Sequence, residues 1–263
     1  MCIYAKIAWW DELRIFKQQG CKIMSTRKGT IKSYMFHSEA LAEDLELLVY
    51  LPYNFSPLYK YTLVIAQDGR DYFQMGRIGR VADELLADDE IENIIIVGIP
   101  YQDRFDRRSK YHPDGAQHVA YVRFLAHELV PFLDDEFPTY QMGYGRALIG
   151  DSLGGTVSLL TALQYPHTFG KVIMQSPLVN QTVLQAVQKF EEPHLLELYH
   201  VIGTKETNVP TTDGKRANFI DPNRELHQLL NRKGFPNFYE EFDGIHTWKY
   251  WQADLKRALL EMF

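Results

Sequence analysis

The sequence predicts an α/β protein with a mostly parallel central sheet flanked by helices, and three observations carry that prediction. From residue 30 onward, short β-branched or apolar runs alternate with longer amphipathic stretches, the pattern of strands joined by crossover helices. The most apolar run, around residues 94–100, is bounded by Glu92 and Asp103 and is far too short for a spanning helix, so it reads as a buried strand. No repeat, low-complexity tract or Pro/Gly/Ser linker divides the chain, so residues 24–263 are expected to form one domain.

The elements follow in order. Residues 1–23 contain Trp9 and Trp10, but Asp11, Glu12 and Arg14 come at once and no small-residue cleavage site follows, unlike a secretory signal. Met24-Ser25-Thr26 resembles an alternative start, and residues 1–23 are expected to be an extension dispensable to the fold. Strands are expected at 45–51, 62–66, 94–98, 147–149, 172–175, 198–202 and 238–242, where the apolar runs are short. Helices are expected at 78–86, 119–132, 156–164, 182–189, 224–233 and 248–262, where apolar residues recur at helical spacing. Ligands of open parallel sheets bind beyond the carboxyl ends of the strands, so residues just after each strand are the candidates for function.

Composition narrows the function classes. Of 263 residues 46% are apolar and 24% charged, the balance of a water-soluble globular protein large enough for a full core. Lys plus Arg is 28 against Asp plus Glu 34, a net charge of −6, which gives no electrostatic reason to bind nucleic acid or an anionic membrane. Both cysteines, Cys2 and Cys21, fall in the first segment, so the fold cannot rest on a disulfide framework and a reducing, cytoplasmic setting is the simplest reading. H-E-x-x-H and cysteine-cluster ligand sets are absent from the sequence, so no metal or organic cofactor is implied. A homodimer is a common state of soluble enzymes, although no feature of the sequence marks an interface.

The chemistry concentrates at Gly150-Asp151-Ser152-Leu153-Gly154-Gly155, between a strand ending at Ile149 and an amphipathic helix from Thr156. This is G-x-S-x-G in the strand, turn and helix context the motif requires. A nucleophile on so sharp a turn adopts a strained backbone, and glycines two residues either side let the chain approach itself without Cβ clashes. Ser152 would project above a helix N-terminus whose free amides favour developing negative charge. Asp151 beside it is expected to be structural, its side chain turned away. Phosphate-loop readings fail, because residues 150–156 lack the Lys of a P-loop and Gly143-Tyr144-Gly145 precedes its strand.

A serine hydroxyl needs an imidazole to take its proton, and the imidazole needs a carboxylate to fix its tautomer. In sheet-topped hydrolases the order is serine, acid, histidine. His246, in the loop between the last strand and last helix, can reach the sheet top, whereas His200 lies in a strand and His227 in a helix. The acid should follow the strand at 198–202, where Gly203-Thr204-Lys205-Glu206 supplies Glu206 and the next segment supplies the alternative, Asp213. Asp221, before Pro222, reads as a turn or cap residue of the helix that follows.

Over about residues 30–263 the chain resembles the esterase family that includes enterochelin esterases, feruloyl esterases, esterase D and the mycolyltransferases. The resemblance rests on Gln67-Asp68-Gly69, Val97-Gly98-Ile99, the stretch from Arg108 to Tyr111, Glu128-Leu129-Val130-Pro131, the Gly150 to Gly155 turn, Tyr165-Pro166 with Phe169-Gly170, Gly203-Thr204, Asn223-Arg224-Glu225-Leu226, and Gly244 to Trp251. It implies an α/β-hydrolase fold; the insertion after the strand at 172–175 and before Glu206 is short, so no large lid domain is expected. It also implies oxyanion amides just after the Asp-Gly pair and just after the nucleophile, here the backbone N–H groups of Arg70 and Leu153. In the family an acid follows a Gly-Thr pair, which favours Glu206, although Asp is commoner there. The chain departs from the family in having Asp151 where His is frequent and Gly244-Ile245-His246-Thr247 in place of Gly-Gly-His-Asp.

The function expected from these residues is hydrolysis of small carboxylic esters by a Ser152, His246 and Glu206 serine esterase. Tyr72, Tyr111 and Trp248 are candidates to line the substrate pocket, with Phe73 and Tyr101 beside them, against an ordinary core role. The rival readings are an acyltransferase on the same triad, a hydrolase narrowly specific for siderophore or carbohydrate-linked esters, and a non-catalytic binding module on a hydrolase fold.

Overall fold

A computed structural model describes residues 27–263; the expected extension at 1–23 and both cysteines lie outside the described residues. The strands of the main sheet are β1 (Thr30–Ser38), β2 (Glu43–Leu51), β3 (Thr62–Gln67), β4 (Ile94–Ile99), β5 (Arg146–Asp151), β6 (Lys171–Gln175), β7 (Glu197–Gly203) and β10 (Asn237–Phe242), with a small hairpin β8 (Val209–Pro210) and β9 (Arg216–Ala217) apart from it. The sheet order is β1-β2-β4-β3-β5-β6-β7-β10. β1 and β2 are antiparallel, β2 meets β4 antiparallel, and every later pairing is parallel. Each of the seven expected strands is present, extended by one to three residues.

The central strands are buried on both faces, and their alternating side chains feed two cores. Leu63 and Ile65 of β3 point into one, Val64 and Ala66 into the other. The second core is closed by α1 (Gly69–Gln74), α2 (Ile78–Ala87) and α9 (Trp248–Met262), through Tyr72, Ile78, Leu85, Leu255 and Leu259. The first is closed by α4 (His118–Phe124), α5 (Val130–Glu136), α6 (Leu153–Gln164), α7 (Gln181–Lys189) and α8 (Ile220–Lys233), through Tyr121, Leu133, Val157, Val183 and Leu226. Each such aliphatic side chain contributes about 1.5–3 kcal/mol by leaving water.

Besides α1 and the β8–β9 hairpin, which are additional to the expected elements, three elements differ from the sequence expectation for identifiable reasons. β1 is an edge strand with Ile31 and Met35 in solvent, so it lacks the apolar run of a buried strand. α3 (Arg104–Tyr111) is almost entirely polar, and its start is fixed by the Asp103 carboxylate, which accepts from the Phe105 and Asp106 amides at 2.7 and 2.9 Å. The helix expected at 119–132 is interrupted by a π-helical turn at Leu125–Leu129. Pro131 cannot donate to the carbonyl four residues back and its ring crowds that carbonyl, and a widened turn relieves both. The widened turn also carries Glu128, whose carboxylate accepts from the Ser38 hydroxyl and the Ala40 amide.

His200, expected as a bland strand residue, is fully buried. Its Nε2 faces the Asn223 side-chain oxygen at 2.7 Å, and the Asn223 amide donates to the Pro177 and Phe219 carbonyls. Burial pushes its pKa from 6.5 down to about 4. Between those values the unfolded chain binds a proton that the folded chain refuses, so stability present above pH 6.5 is lost as pH falls toward 4, by up to about 3 kcal/mol. Urea unfolding at pH 7 and pH 4.5 should show that loss in the wild type and about 2–3 kcal/mol less of it in His200→Gln; equal losses would remove His200 from the account.

Candidate active site

A cleft of ≈ 280 Å³ opens at the carboxyl ends of the parallel strands, where residues following β3, β4, β5, β6, β7 and β10 meet. Its walls include Asp68, Tyr101, Arg107, Ser152, His246 and Trp251. Ser152 and His246, more than ninety residues apart in sequence, therefore share one cavity.

Ser152 sits between β5 and α6 with φ 51° and ψ −122°, a conformation that costs a residue with a side chain about 1–3 kcal/mol. Hydrogen bonds hold it there. Its amide donates to the Gln175 carbonyl at 2.9 Å, and its carbonyl accepts from the Thr156 amide and hydroxyl at 3.2 and 3.1 Å. The turn is so tight that a Cβ on Gly150 would lie 2.2 Å from the Gly154 carbonyl carbon. Gly150→Ala is accordingly expected to cost about 3 kcal/mol or more in denaturant unfolding; a loss under about 0.5 kcal/mol would show that the turn does not need this glycine.

His246 follows β10, and its Nδ1 lies 2.6 Å from Glu206 Oε2. A carboxylate only accepts, so this bond places the proton on Nδ1 and leaves the Nε2 lone pair free. The imidazole is held edge-on by Phe219 and Trp251, with ring centres at 4.6 and 4.8 Å. Glu206 is wholly buried, and its other oxygen accepts from the Ser176 hydroxyl at 2.7 Å and the Gly203 amide at 3.0 Å. The Ser176 hydroxyl in turn accepts from the Trp251 indole at 3.0 Å. Gly203 is required because a Cβ there would lie 2.7 Å from Glu206 Oε1 and 2.6 Å from the Gly244 carbonyl oxygen. The Gly-Thr pair is thus the notch into which the carboxylate folds back.

The alternative acid, Asp213, is elsewhere. It lies in the turn between β8 and β9, where it accepts from the Thr211 hydroxyl at 2.5 Å and the Lys215 amide at 3.3 Å, with Arg108 at 3.8 Å. Those hydrogen bonds hold its carboxyl down to about 2. The strand pair carries Pro210, Thr211 and Thr212 to the cleft, so part of the wall over the site comes from the segment after Glu206. Asp221 is inside the first turn of α8, whose N-cap position is Phe219, and exchanges hydrogen bonds with Asn218.

The two amides expected to hold an oxyanion both lie at helix starts. The first paired amides there are Asp71, to the Asp68 carbonyl at 2.8 Å, and Thr156, so the Arg70 and Leu153 amides precede the helical hydrogen bonds. Leu153 lines the cleft. Arg70 is not among the residues that line the cleft, and its side chain turns out to Glu46 at 2.8 Å.

The expected aromatic lining needs correction. Tyr72 and Tyr111 are buried core residues, and neither lines the cleft. The Tyr72 hydroxyl donates to Gln175 at 3.1 Å, and the Tyr111 oxygen accepts from the Asp68 amide at 3.2 Å. Trp248 packs edge-on against Tyr72 and Trp251 behind the site, and Phe73 belongs to the second core. Tyr101 does line the cleft, its hydroxyl donating to Asp71 at 3.0 Å. Phe219 and Trp251 also line it and escaped the sequence reading; Trp251 lies one helical turn past Trp248, a spacing that could have drawn attention to it.

A charged cluster lies beside the serine. Arg107 forks onto Asp68 at 2.8 and 2.5 Å and also donates to the Asp151 carbonyl at 3.2 Å. Asp151 Oδ2 lies 3.7 Å from the same guanidinium with its side chain 7% exposed, so Asp151 is buried in this cluster, the structural role expected of it, at the edge of the cleft it lines. Burial, with the Asp68 charge second, pushes the Asp151 carboxyl well above the usual range.

This sheet order, with the strand-to-helix turn at Ser152, is that of the α/β-hydrolase fold. The model of the "Putative esterase" family matches residues 38–262, and the chain belongs to that family, which makes it a carboxylic ester hydrolase. It is 57% identical over 239 residues to the uncharacterized protein YjcH of Bacillus subtilis (strain 168), covering 91% of this chain and all of that one. Among solved structures it is similar to a ferulic acid esterase, with TM-score 0.74, 18% identity, and coverage of 89% of this chain and 98% of that one. It is also similar to the enterobactin esterase of Shigella flexneri, with TM-score 0.74, 20% identity, and coverage of 89% of this chain and 58% of that one. No helix among the described residues is long and apolar enough to cross a membrane.

Proposed function

We propose that the protein hydrolyses small carboxylic esters through an acyl-enzyme on Ser152. The observation that carries this reading is the 2.6 Å contact between Glu206 and His246 Nδ1, in a cleft that also holds a serine at φ 51°. His246 Nε2 takes the Ser152 proton as Oγ attacks the ester carbonyl. The Arg70 and Leu153 amides receive the negative charge on the carbonyl oxygen. Collapse of the tetrahedral intermediate expels the alcohol, which takes the proton back from His246. Water then enters, gives a proton to His246 and attacks the acyl carbonyl, and the carboxylic acid leaves as Ser152 regains its proton.

A cleft of ≈ 280 Å³ with Asp71, Arg104 and Arg108 on its walls favours short, water-soluble esters over long lipid chains. The cysteine placement supports a cytoplasmic setting. The test is rapid mixing with nitrophenyl acetate, with intact mass measured on acid-quenched samples. A burst of nitrophenol near one per enzyme and a single acetyl group on the peptide containing Ser152 are expected. Turnover with no serine-bound acetyl group, at any time and pH at which acylation outruns deacylation, would overturn the acyl-enzyme.

A further inference from the structure

We infer that Arg107 is a positioning residue that fixes the spacing of the two oxyanion amides by clamping the loop after β3 to the turn that carries Ser152. The inference rests on the proposed serine mechanism and adds a residue to which that mechanism gives no part.

The geometry is symmetrical about the guanidinium. One contact is the fork onto the Asp68 carboxylate, two residues before the Arg70 amide; the other is the hydrogen bond to the Asp151 carbonyl, two residues before the Leu153 amide. Asp68 is itself in the left-handed region at φ 55°, so the loop needs an external hold. Tyr111 supplies a second one, accepting the Asp68 amide at 3.2 Å. The clamped segments also touch directly, since a Cβ on Gly154 would lie 3.1 Å from Asp68 Oδ2. A planar fork can bind two carboxylate oxygens and a carbonyl at once, which a lysine ammonium cannot do in the same geometry.

Stability alone is a poor reason for the cluster. The side chains of Arg107, Asp68 and Asp151 are 12%, 1% and 7% exposed, and Asp151 Oδ1 is buried without a partner among the described residues. Desolvating a guanidinium, the Asp68 carboxylate and a second carboxyl group costs more than burying an apolar trio of the same volume would. What the cluster supplies is placement: an ångström of error in a donor is worth about 10²-fold in rate.

Oxyanion donors can be read separately from the nucleophile by comparing an ester with its thionoester, whose sulfur accepts hydrogen bonds poorly. Wild type, Arg107→Gln, Asp68→Asn and Ser152→Ala would be assayed on a matched pair, with folding checked by thermal unfolding. The Gln variant is expected to lose about 10–100-fold in kcat on the oxoester with KM within about threefold, and much less on the thionoester, so the oxo-to-thiono ratio falls by about fivefold or more. Asp68→Asn, which keeps the volume and tolerates the left-handed backbone, should lower the ratio in the same direction and serves alone if the Arg107 variant does not fold. An unchanged ratio in the folded variants, with Ser152-dependent activity in the wild type, overturns the clamp and leaves the serine mechanism standing. Activity that survives Ser152→Ala on both esters overturns the mechanism instead.

Discussion

Ser152→Ala is expected to lower kcat/KM on short nitrophenyl esters by about 10⁴-fold or more, because members of a nucleophile, base and acid set act as a unit and little remains once one is gone. The fold should survive. Among the described residues no hydrogen bond from Ser152 Oγ holds the turn; the bonds that do so come from its amide and carbonyl. Alanine at φ 51° keeps the backbone strain already present, so unfolding midpoints within a few degrees of wild type should accompany the loss. Steady-state kinetics and a melting curve on the same preparation separate chemistry from folding. A variant retaining more than about a tenth of wild-type activity would remove Ser152 from the reaction.

The second large effect distinguishes two carboxylates that the sequence left as alternatives. Glu206→Gln is expected to lower kcat by about 10³–10⁴-fold. A neutral amide can donate to His246 Nδ1, inverting the tautomer so that Nε2 carries the hydrogen and cannot take the serine proton. Asp213→Asn should change kcat by less than about threefold, since Asp213 is bound to the Thr211 hydroxyl and the Lys215 amide and its charge contributes only screened surface interactions with Arg108 and Lys215. The reverse outcome would relocate the acid to the β8–β9 turn and require that turn to fold down onto His246. Ser176 offers a finer check within the same network. Its hydroxyl donates to the far oxygen of Glu206 and accepts from Trp251, so its contribution passes through the orientation of Glu206.

Much of this site was legible before any coordinates, and the reasons are local. Ser152 announces itself because a left-handed, strained serine between a strand and a helix demands glycines at Gly150 and Gly154, and few other structures make that demand. Glu206 was legible through Gly203, whose missing side chain makes the space the carboxylate occupies. His246 was legible from its place after the last strand. Pocket lining was not. Tyr72, Tyr111 and Trp248 are near the site in sequence terms, yet which way an aromatic faces is decided by partners such as Gln175 and the Asp68 amide, and those meet only in the folded chain. α3 stayed hidden because its charged side chains are spent on tertiary pairing. Lys110 with Glu43 and Arg107 with Asp68 are long-range contacts that a hydrophobic-periodicity reading cannot register. For the same reason the clamp at Arg107 leaves no motif of its own.

The most direct test of the central claim is covalent labelling by a fluorescent fluorophosphonate, which reacts only with a serine whose hydroxyl is activated and whose oxyanion is stabilised. Folded wild-type protein should gain one adduct by intact mass, mapped by peptide sequencing to Ser152, and Ser152→Ala should gain none. A folded wild type that takes no label, or a Ser152→Ala variant that takes as much, would contradict an activated serine at this turn.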